Sequence, residues 1–366
     1  MYIFGLLSEH KVRYLLTALG IALCSLLMLF LVSIYKGISY GSVQYIRLSS
    51  ANLWILQEHT TNILRSTSLL PFSSQEEIGK ISGIKSISPV FFIIASAKIK
   101  SRNATLYLTG FDPGKSNGGP PLIVKGRNIQ SDNEIVLDRA FASKYGLKIG
   151  DKITIRKDSL TISGICTGTN MFVIQYAFIS LVKAQEIIGF KYAVSAFQLV
   201  TEPGISADSV KSEIYSSLKN VVVFDKATFL RNNLEEMQNG IIPVLFIVTV
   251  IAAIVLTSIL SLMLSITILE KRLDFAIMKA LGSKPGFIPG QIVRLSLVLS
   301  VAGLILALIF YFPMEILIQQ ISPEVEARIS FFQIVVISSG VIAISIISSF
   351  LPNLNISKIY PIDIFR

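Results

Sequence analysis

Charge is what this sequence has least of. Only 15% of its 366 residues are Asp, Glu, Lys or Arg, where a soluble domain carries about 25%. With 52% apolar residues and a mean hydropathy of +0.65, that shortfall excludes a soluble domain and a disordered chain. Two cysteines exclude a disulfide framework, and two histidines leave little for a zinc site. His10 and His59 stand apart, and neither H-E-x-x-H nor G-x-S-x-G occurs. The chain therefore reads as non-enzymatic.

What is present is a set of long apolar runs. Tyr14–Tyr35, Ile241–Leu269, about Leu295–Met314 and about Ile329–Leu351 carry no charge inside the bilayer-length core, apart from Glu315 just beyond the third. Each is long enough to span, since a bilayer takes about 20 helical residues. The second exceeds that length and is expected to tilt or protrude. Pro243 and Pro313 are expected near span ends, where a missing N–H does least harm.

Orientation follows the short loops. Lys11 and Arg13 precede the first run. Lys271, Arg272, Lys279 and Lys284 lie between the second and third, and Lys358 and Arg366 follow the fourth. The loop between the third and fourth offers only Arg328, beside Glu324 and Glu326. Both termini and the middle loop are thus expected to be cytoplasmic, with the large segment outside. The net charge of +10 is met by this topology and by a scattered basic surface, not by a nucleic-acid site. The first run is too long for a signal-peptide core, and bulky Leu23 before Cys24 argues against lipoprotein cleavage. Cys24 and Cys166 read as packing thiols too far apart to bond.

The organisation is an α+β membrane protein, with four transmembrane helices (one, then three) and a large mixed α/β extracytoplasmic domain between helices 1 and 2. The expected divisions are a cytoplasmic segment 1–13, helix 14–35, outer domain 36–240 with helical stalk ends, helix 241–269, cytoplasmic loop 270–290, helix 291–318, external loop 319–328, helix 329–351 and cytoplasmic tail 352–366. In the outer segment, strands are expected at 51–57, 87–100, 104–110, 134–137, 152–156, 160–166, 177–180, 196–201 and 221–224. Helices interleave at 139–145, 181–188 and 207–218, with a further short one capped by Ser73. Lys36–Ser50 and Lys226–Asn239 have helical spacing continuous with spans one and two, so the domain is expected to stand on two stalks.

Two motifs carry weight of different kinds. Gly110–Ser116 looks like a P-loop but is one spacer residue short, and Pro113 removes an N–H from the cradle. It reads as a turn, so ATP energy must enter from another protein. The cytoplasmic stretch Glu270-Lys-Arg-Leu-Asp274-Phe-Ala-Ile-Met-Lys279-Ala-Leu-Gly282 reads as a short amphipathic helix ended by Gly282. Leu273, Ile277 and Leu281 form one ridge, with Ala280 beside it. Such a ridge suits either a lipid interface or a groove on a partner. Trp54 and Phe91–Ile94 read as core rather than as the lining of an apolar site.

That loop resembles the E-x-x-x-E … A-L-G segment of MacB/FtsX-type ABC transporter permeases, with Asp274 in place of Glu and Ala276 in place of Gly. The stretch Asn133–Ile155 is similar to the family's outer-domain signature. The ending Pro352 … Ser357 … Pro361 … Arg366 is similar to its tail, and Ala51–Gln57 with Arg65–Pro71 to the DevC-like branch. The resemblance implies a non-catalytic permease subunit of the inner membrane that binds no cofactor itself, ATP and Mg being held by a cytoplasmic ATPase dimer. It implies contact with that ATPase through Glu270, Asp274, Ile277, Lys279, Ala280, Leu281 and Gly282, together with Met1–Arg13. It also implies pairing with a second permease copy or a paralogue, an outer adaptor protein, contact with membrane lipid, and export or extraction of a lipid or amphiphile by mechanotransmission. The alternative is a scaffold that regulates an outer enzyme or receptor without transport.

Overall fold

The computed structural model describes residues 11–100, 102–115, 117–171, 174–284, 286–325, 327 and 329–356. Four of the helices among them are long and apolar enough to cross a membrane: α1 (Lys11–Leu48), α6 (Lys226–Glu270), α8 (Phe287–Ile321) and α9 (Phe331–Ile356). The first precedes a mixed α/β domain and the other three follow it. The chain divides into two compact units. One takes the chain up to Lys36, Ile241–Ile318 and the part from Ala327 onward; the other takes Gly37–Gly240 and a short stretch beginning at Gln319. The first ten residues lie outside the described residues, as do Glu326, Arg328 and the tail positions Ser357, Lys358, Pro361 and Arg366.

The outer unit is built on one ten-stranded sheet. Its strands are β1 (Leu53–Gln57), β3 (Ile84–Ile99), β4 (Arg102–Phe111), β5 (Leu122–Gly126), β6 (Glu134–Asp138), β7 (Lys152–Ile155), β8 (Asp158–Thr167), β9 (Tyr176–Ser180), β11 (Ala196–Thr201) and β12 (Val221–Asp225). The order is β12-β1-β11-β3-β4-β9-β6-β8-β5, with β7 bridging β3 and β8; β4–β9 and β6–β8 are parallel and the other pairs antiparallel. A separate pair joins β2 (Leu70–Pro71) to β10 (Ala193–Val194).

The central strands are buried at most positions because both faces are covered. Leu53, Ile55, Leu106, Leu108, Ala177 and Ile179 face a core shared with α2 (Ser74–Ile78), α3 (Arg139–Tyr145), α4 (Leu181–Ile188) and α5 (Ala207–Ser217). Their neighbours Trp54, Leu56, Tyr107, Phe111, Tyr176 and Phe178 face the opposite way, onto Tyr45 and Ile46 of α1 and Phe229 of α6. Alternation thus gathers Trp54, Tyr107, Phe111, Tyr176 and Phe178 on one face. Trp54 is fully buried, 4.9 Å from Phe229 between ring centroids, and Tyr45 stacks on Tyr176 at 5.0 Å. The Tyr45 hydroxyl donates to Gly118 O and accepts from Gln198 Nε2. The outer ends of both long helices are therefore embedded in the sheet's aromatic face.

Local signals held where backbone geometry allowed them. Asp138 and Ser180 cap α3 and α4 from extended backbone, and Gly146 ends α3 at φ +63. Ser73 does not cap α2: its own backbone is already helical (φ −58), so its hydroxyl cannot reach forward. The P-loop-like segment is a turn. Gly110 belongs to β4, a Cβ there would sit 2.4 Å from the Ala184 Cβ, and Asp112 Oδ1 accepts from Gly114 N; Ser116 lies outside the described residues. Cys166 is buried, which pushes its thiol pKa upward, the nearby Asp138 adding to it, and so keeps the group in its unreactive form. Pro243 is the second residue of the span Ile242–Glu270, inside the longer helix α6, and Pro313 lies inside α8, eight residues before its end at Ile321. Neighbouring helices and Ser/Thr hydroxyls let such breaks persist in apolar helices.

Glu134, in the stretch resembling the outer-domain signature, pins the β5–β6 connection. Arg127 Nη1 and Nη2 donate to its two oxygens at 2.8 and 2.6 Å, and Gln130 N donates at 2.8 Å. The Arg127 hydrogen bonds outweigh partial burial and bring its pKa from 4.5 to about 2. Ionised Glu134 hence stabilises the folded form fully above about pH 4.5, and that contribution is lost as pH falls through about 2. Glu134→Gln should lower the melting temperature at pH 7, with the gap to wild type closing as the buffer is acidified below pH 4.5. A gap independent of pH would refute the assignment.

Candidate coupling site

Four helices of the first unit meet around one short helix. α6 ends at Glu270, Lys271 breaks the helix (φ −94, ψ 17), and α7 (Arg272–Ala280) begins at once. Lys271 N still bonds Thr267 O, and Phe275 N bonds Lys271 O. The turn is thus a bend within a nearly continuous ladder, which sets where α7 begins.

At the other end Gly282 N bonds Lys279 O, Ser283 N bonds Met278 O, and Gly282 has φ +85. This is the 6→1, 5→2 pattern that needs a left-handed residue past a helix end. Nothing lies within 4 Å of where a Gly282 Cβ would be. Glycine is required there for its φ, not for space.

Two faces of α7 differ sharply. Phe275 and Ala276 are fully buried, with Met278 packed beside them, in a cluster containing Tyr14 of α1, Leu264 and Ile268 of α6, Ile288 and Ile292 of α8 and Val341 of α9. On the opposite side Leu273, Ile277 and Leu281 are 56%, 45% and 83% exposed, and Ala280 between them is exposed too. The buried pair holds the helix down, so the exposed stripe is presented in a fixed orientation.

Charge is arranged to suit the helix. Asp274 stands in the first turn and Lys279 in the last, the favourable ends for each sign. Lys271 Nζ lies 3.5 Å from Asp274 Oδ2. Arg13 Nη1 donates to both carboxylate oxygens of Glu270 at 2.5 Å. Partly exposed pairs of this kind contribute only about 0–1 kcal/mol. The Arg13–Glu270 pair matters for position: it ties the start of α1 to the end of α6.

The structure therefore brings together all seven residues singled out from the sequence. Glu270, Asp274 and Lys279 mark the helix ends and the bend, Ile277, Ala280 and Leu281 the exposed stripe, and Gly282 the stop. Sequence reading missed the anchor Phe275–Ala276, although these two residues fall on the side of the helix opposite the ridge. It also missed the partner of Glu270. The remainder of the implied contact surface, 1–10, lies outside the described residues.

In the outer unit, the stretch from Gln319 carries a second connection. Lys144 Nζ donates to Glu324 Oε1, and Asn170 Nδ2 donates to Glu324 O at 3.0 Å. Glu324 was read from the sequence only as a loop charge.

Comparison with known proteins bears on both regions. A model for the MacB-like periplasmic core domain matches residues 14–216, and one for the FtsX-like permease C-terminal region matches residues 246–361. The chain is 23% identical over 364 residues to a protein of Staphylococcus haemolyticus (strain JCSC1435) named "Putative hemin transport system permease protein HrtB", covering 97% of this chain and 95% of that one. It is similar to the periplasmic region of MacB from Actinobacillus actinomycetemcomitans (TM-score 0.41, 15% identity, 52% of this chain and 96% of that one). It is also similar to the extracellular domain of the noncanonic ABC-type transporter YknZ from Gram-positive bacteria (TM-score 0.37, 12% identity, 48% and 100%).

Proposed function

The chain belongs to the MacB/FtsX-type ABC transporter permeases, and from that premise we propose that it couples ATP hydrolysis in a separate cytoplasmic ATPase to motion of its outer domain, exporting or extracting a lipid or other amphiphile. It is a multi-pass membrane protein with a periplasmic-type domain, and the permease subunit of its transporter. Transmembrane subunits of this family are typically non-catalytic and imply an ATPase partner.

The observation that carries the coupling role is α7, held by buried Phe275 and Ala276 while Leu273, Ile277, Ala280 and Leu281 stay exposed. An anchor that fixes the stripe's orientation suits a groove of defined shape, whereas a lipid surface asks only for an apolar face. Here an ATPase groove would receive the stripe, with Asp274 and Lys279 flanking it. Both termini and residues 270–290 would face the cytoplasm, in keeping with their Lys and Arg.

Displacement of α7 would pull on the end of α6 at the bend, and α6 spans Lys226 to Glu270 with Pro243 inside it. Its first turns are packed against Trp54 and Phe224 through Phe229. Such a helix would give the pull a continuous backbone to follow. A second permease copy or paralogue and an outer adaptor would complete the assembly; the DevC-like branch rests on residues 51–57 and 65–71 alone.

The charge-free cores of the spans favour a substrate that partitions into the bilayer. Hemin, named for the staphylococcal relative, is an apolar macrocycle bearing carboxylates and fits that class. Reconstituted with its ATPase in sealed vesicles, the permease should move hemin or a labelled lipid on addition of ATP, and an ATPase unable to hydrolyse should abolish the movement. ATP-driven rearrangement of the outer domain with no amphiphile moved would support the regulatory scaffold instead.

A further inference from the structure

One cavity of the outer unit is built like a ligand site and is used by nothing described above. It encloses about 350 Å3 between the segment 62–69 and the β3 run Phe91–Ile94. That is the small end of the range for ligand sites, roughly 300–1,000 Å3.

Its floor is apolar: Leu56, Ile63 and Tyr107 are buried, and half-buried Phe92 stacks on Tyr107 at 5.8 Å. Its mouth is apolar and open: Ile94 and Phe190 are 60% and 52% exposed, and Leu69 beside them is exposed as well. Large side chains left in water around a concave site mark a binding surface rather than a solvated one.

The wall is preformed. Ile63 N donates to the buried Asn233 Oδ1 at 3.0 Å, and Leu64 N and Arg65 N donate to Asn62 Oδ1. The Tyr107 hydroxyl donates to Ile63 O. Gln57 N donates to Ser68 Oγ, and Leu69 N to Gln57 Oε1. A segment stitched at both ends holds the cavity open without a ligand to order it.

Charge selects the occupant. Among the described residues lining the cavity, Arg65 is the charged one. Its side chain is mostly exposed, and one nitrogen, Nη1, lies 3.1 Å from Glu236 Oε1, leaving other guanidinium donors. Ser66, Thr67 and Ser68 add hydroxyls along the same rim.

From this arrangement we infer that the cavity binds a single-chain amphiphile with an acidic head group, its chain against Phe92 and Tyr107 and its head at Arg65. The volume admits one short chain and not a two-chain lipid. The inference deepens the amphiphile-handling reading above and rests on it for biological use. Binding itself needs neither ATP nor the ATPase, so it is tested separately from coupling.

The probe is a photoreactive diazirine analogue of laurate, added to the full-length protein in amphipol and mapped by mass spectrometry. Cross-links should fall on 62–69 and 91–94 and be displaced by excess laurate. Arg65→Glu should weaken laurate competition about tenfold, the equivalent of one charged contact at 1.4 kcal/mol, while leaving competition by dodecanol unchanged. Ile94→Asp, at an exposed position that folding tolerates, should weaken both. Cross-links confined to the membrane-spanning helices, or equal laurate competition in wild type and Arg65→Glu, would overturn the inference.

Discussion

Leu281→Asp should abolish co-purification of the ATPase while the permease still inserts and folds. Leu281 is 83% exposed and follows the last residue of α7. A polar side chain there costs the isolated permease little, within about 0.5 kcal/mol for a surface site. In the proposed complex the same side chain ends the apolar stripe and is its most exposed member. Losing an anchor of this kind typically costs 2 kcal/mol or more of binding, and a desolvated, unpaired carboxylate adds to that loss. About 2 kcal/mol is roughly a thirtyfold loss of affinity, enough to lose the partner in a wash. Asp274→Lys should act in the same direction by reversing the charge at the first turn. Pull-down unchanged in both variants would remove the contact.

Phe275→Ala should produce a similar loss by a different route. Phe275 is fully buried among residues of the long helices and contributes nothing to the exposed stripe. Truncating a buried Phe costs about 3–5 kcal/mol, more than a nine-residue helix can recover from its own hydrogen bonds. The stripe keeps its chemistry and loses its orientation. Limited trypsin treatment separates the two variants: Phe275→Ala should open cleavage at Lys271, Arg272 and Lys279, whereas Leu281→Asp should leave these sites protected as in wild type. Weak ATPase binding without new cleavage in Phe275→Ala would mean that Phe275 touches the partner itself. Phe275→Leu, nearer in volume, should restore most of the binding.

These two variants also mark how far the sequence could be read. The ridge Leu273–Ile277–Leu281 was legible because a helix repeats every 3.6 residues. Which face of α7 is anchored was not, because a nine-residue element with apolar residues on both sides has no single preferred face. Arg13 and Glu270 are 257 residues apart, and no local rule pairs them.

In the outer domain the strands around Trp54, Tyr107 and Tyr176 were legible from β-forming composition. Strand β5 was not: all five of its residues are exposed at the sheet edge, so no alternation of burial reaches the sequence. β2 and β10 are two residues each and owe their pairing to the fold around them. The aromatic face shows why both stalk ends matter. Tyr45 and Phe229 looked like ordinary helix residues, and only the sheet gives them partners. Sequence weighed Phe91–Ile94 as core; Phe91 is core, while Ile94 opens onto the cavity.

The central claim is that α7 faces the cytoplasm, where an ATPase can reach it, and that the sheet domain faces the other way. Single-cysteine labelling tests it most directly. In a background with Cys24 and Cys166 replaced by serine, Leu281→Cys and the exposed Tyr192→Cys are each treated with a membrane-impermeant maleimide in intact cells or sealed spheroplasts. Tyr192→Cys should react at once and Leu281→Cys only after the membrane is permeabilised. Reaction of both before permeabilisation would contradict the account.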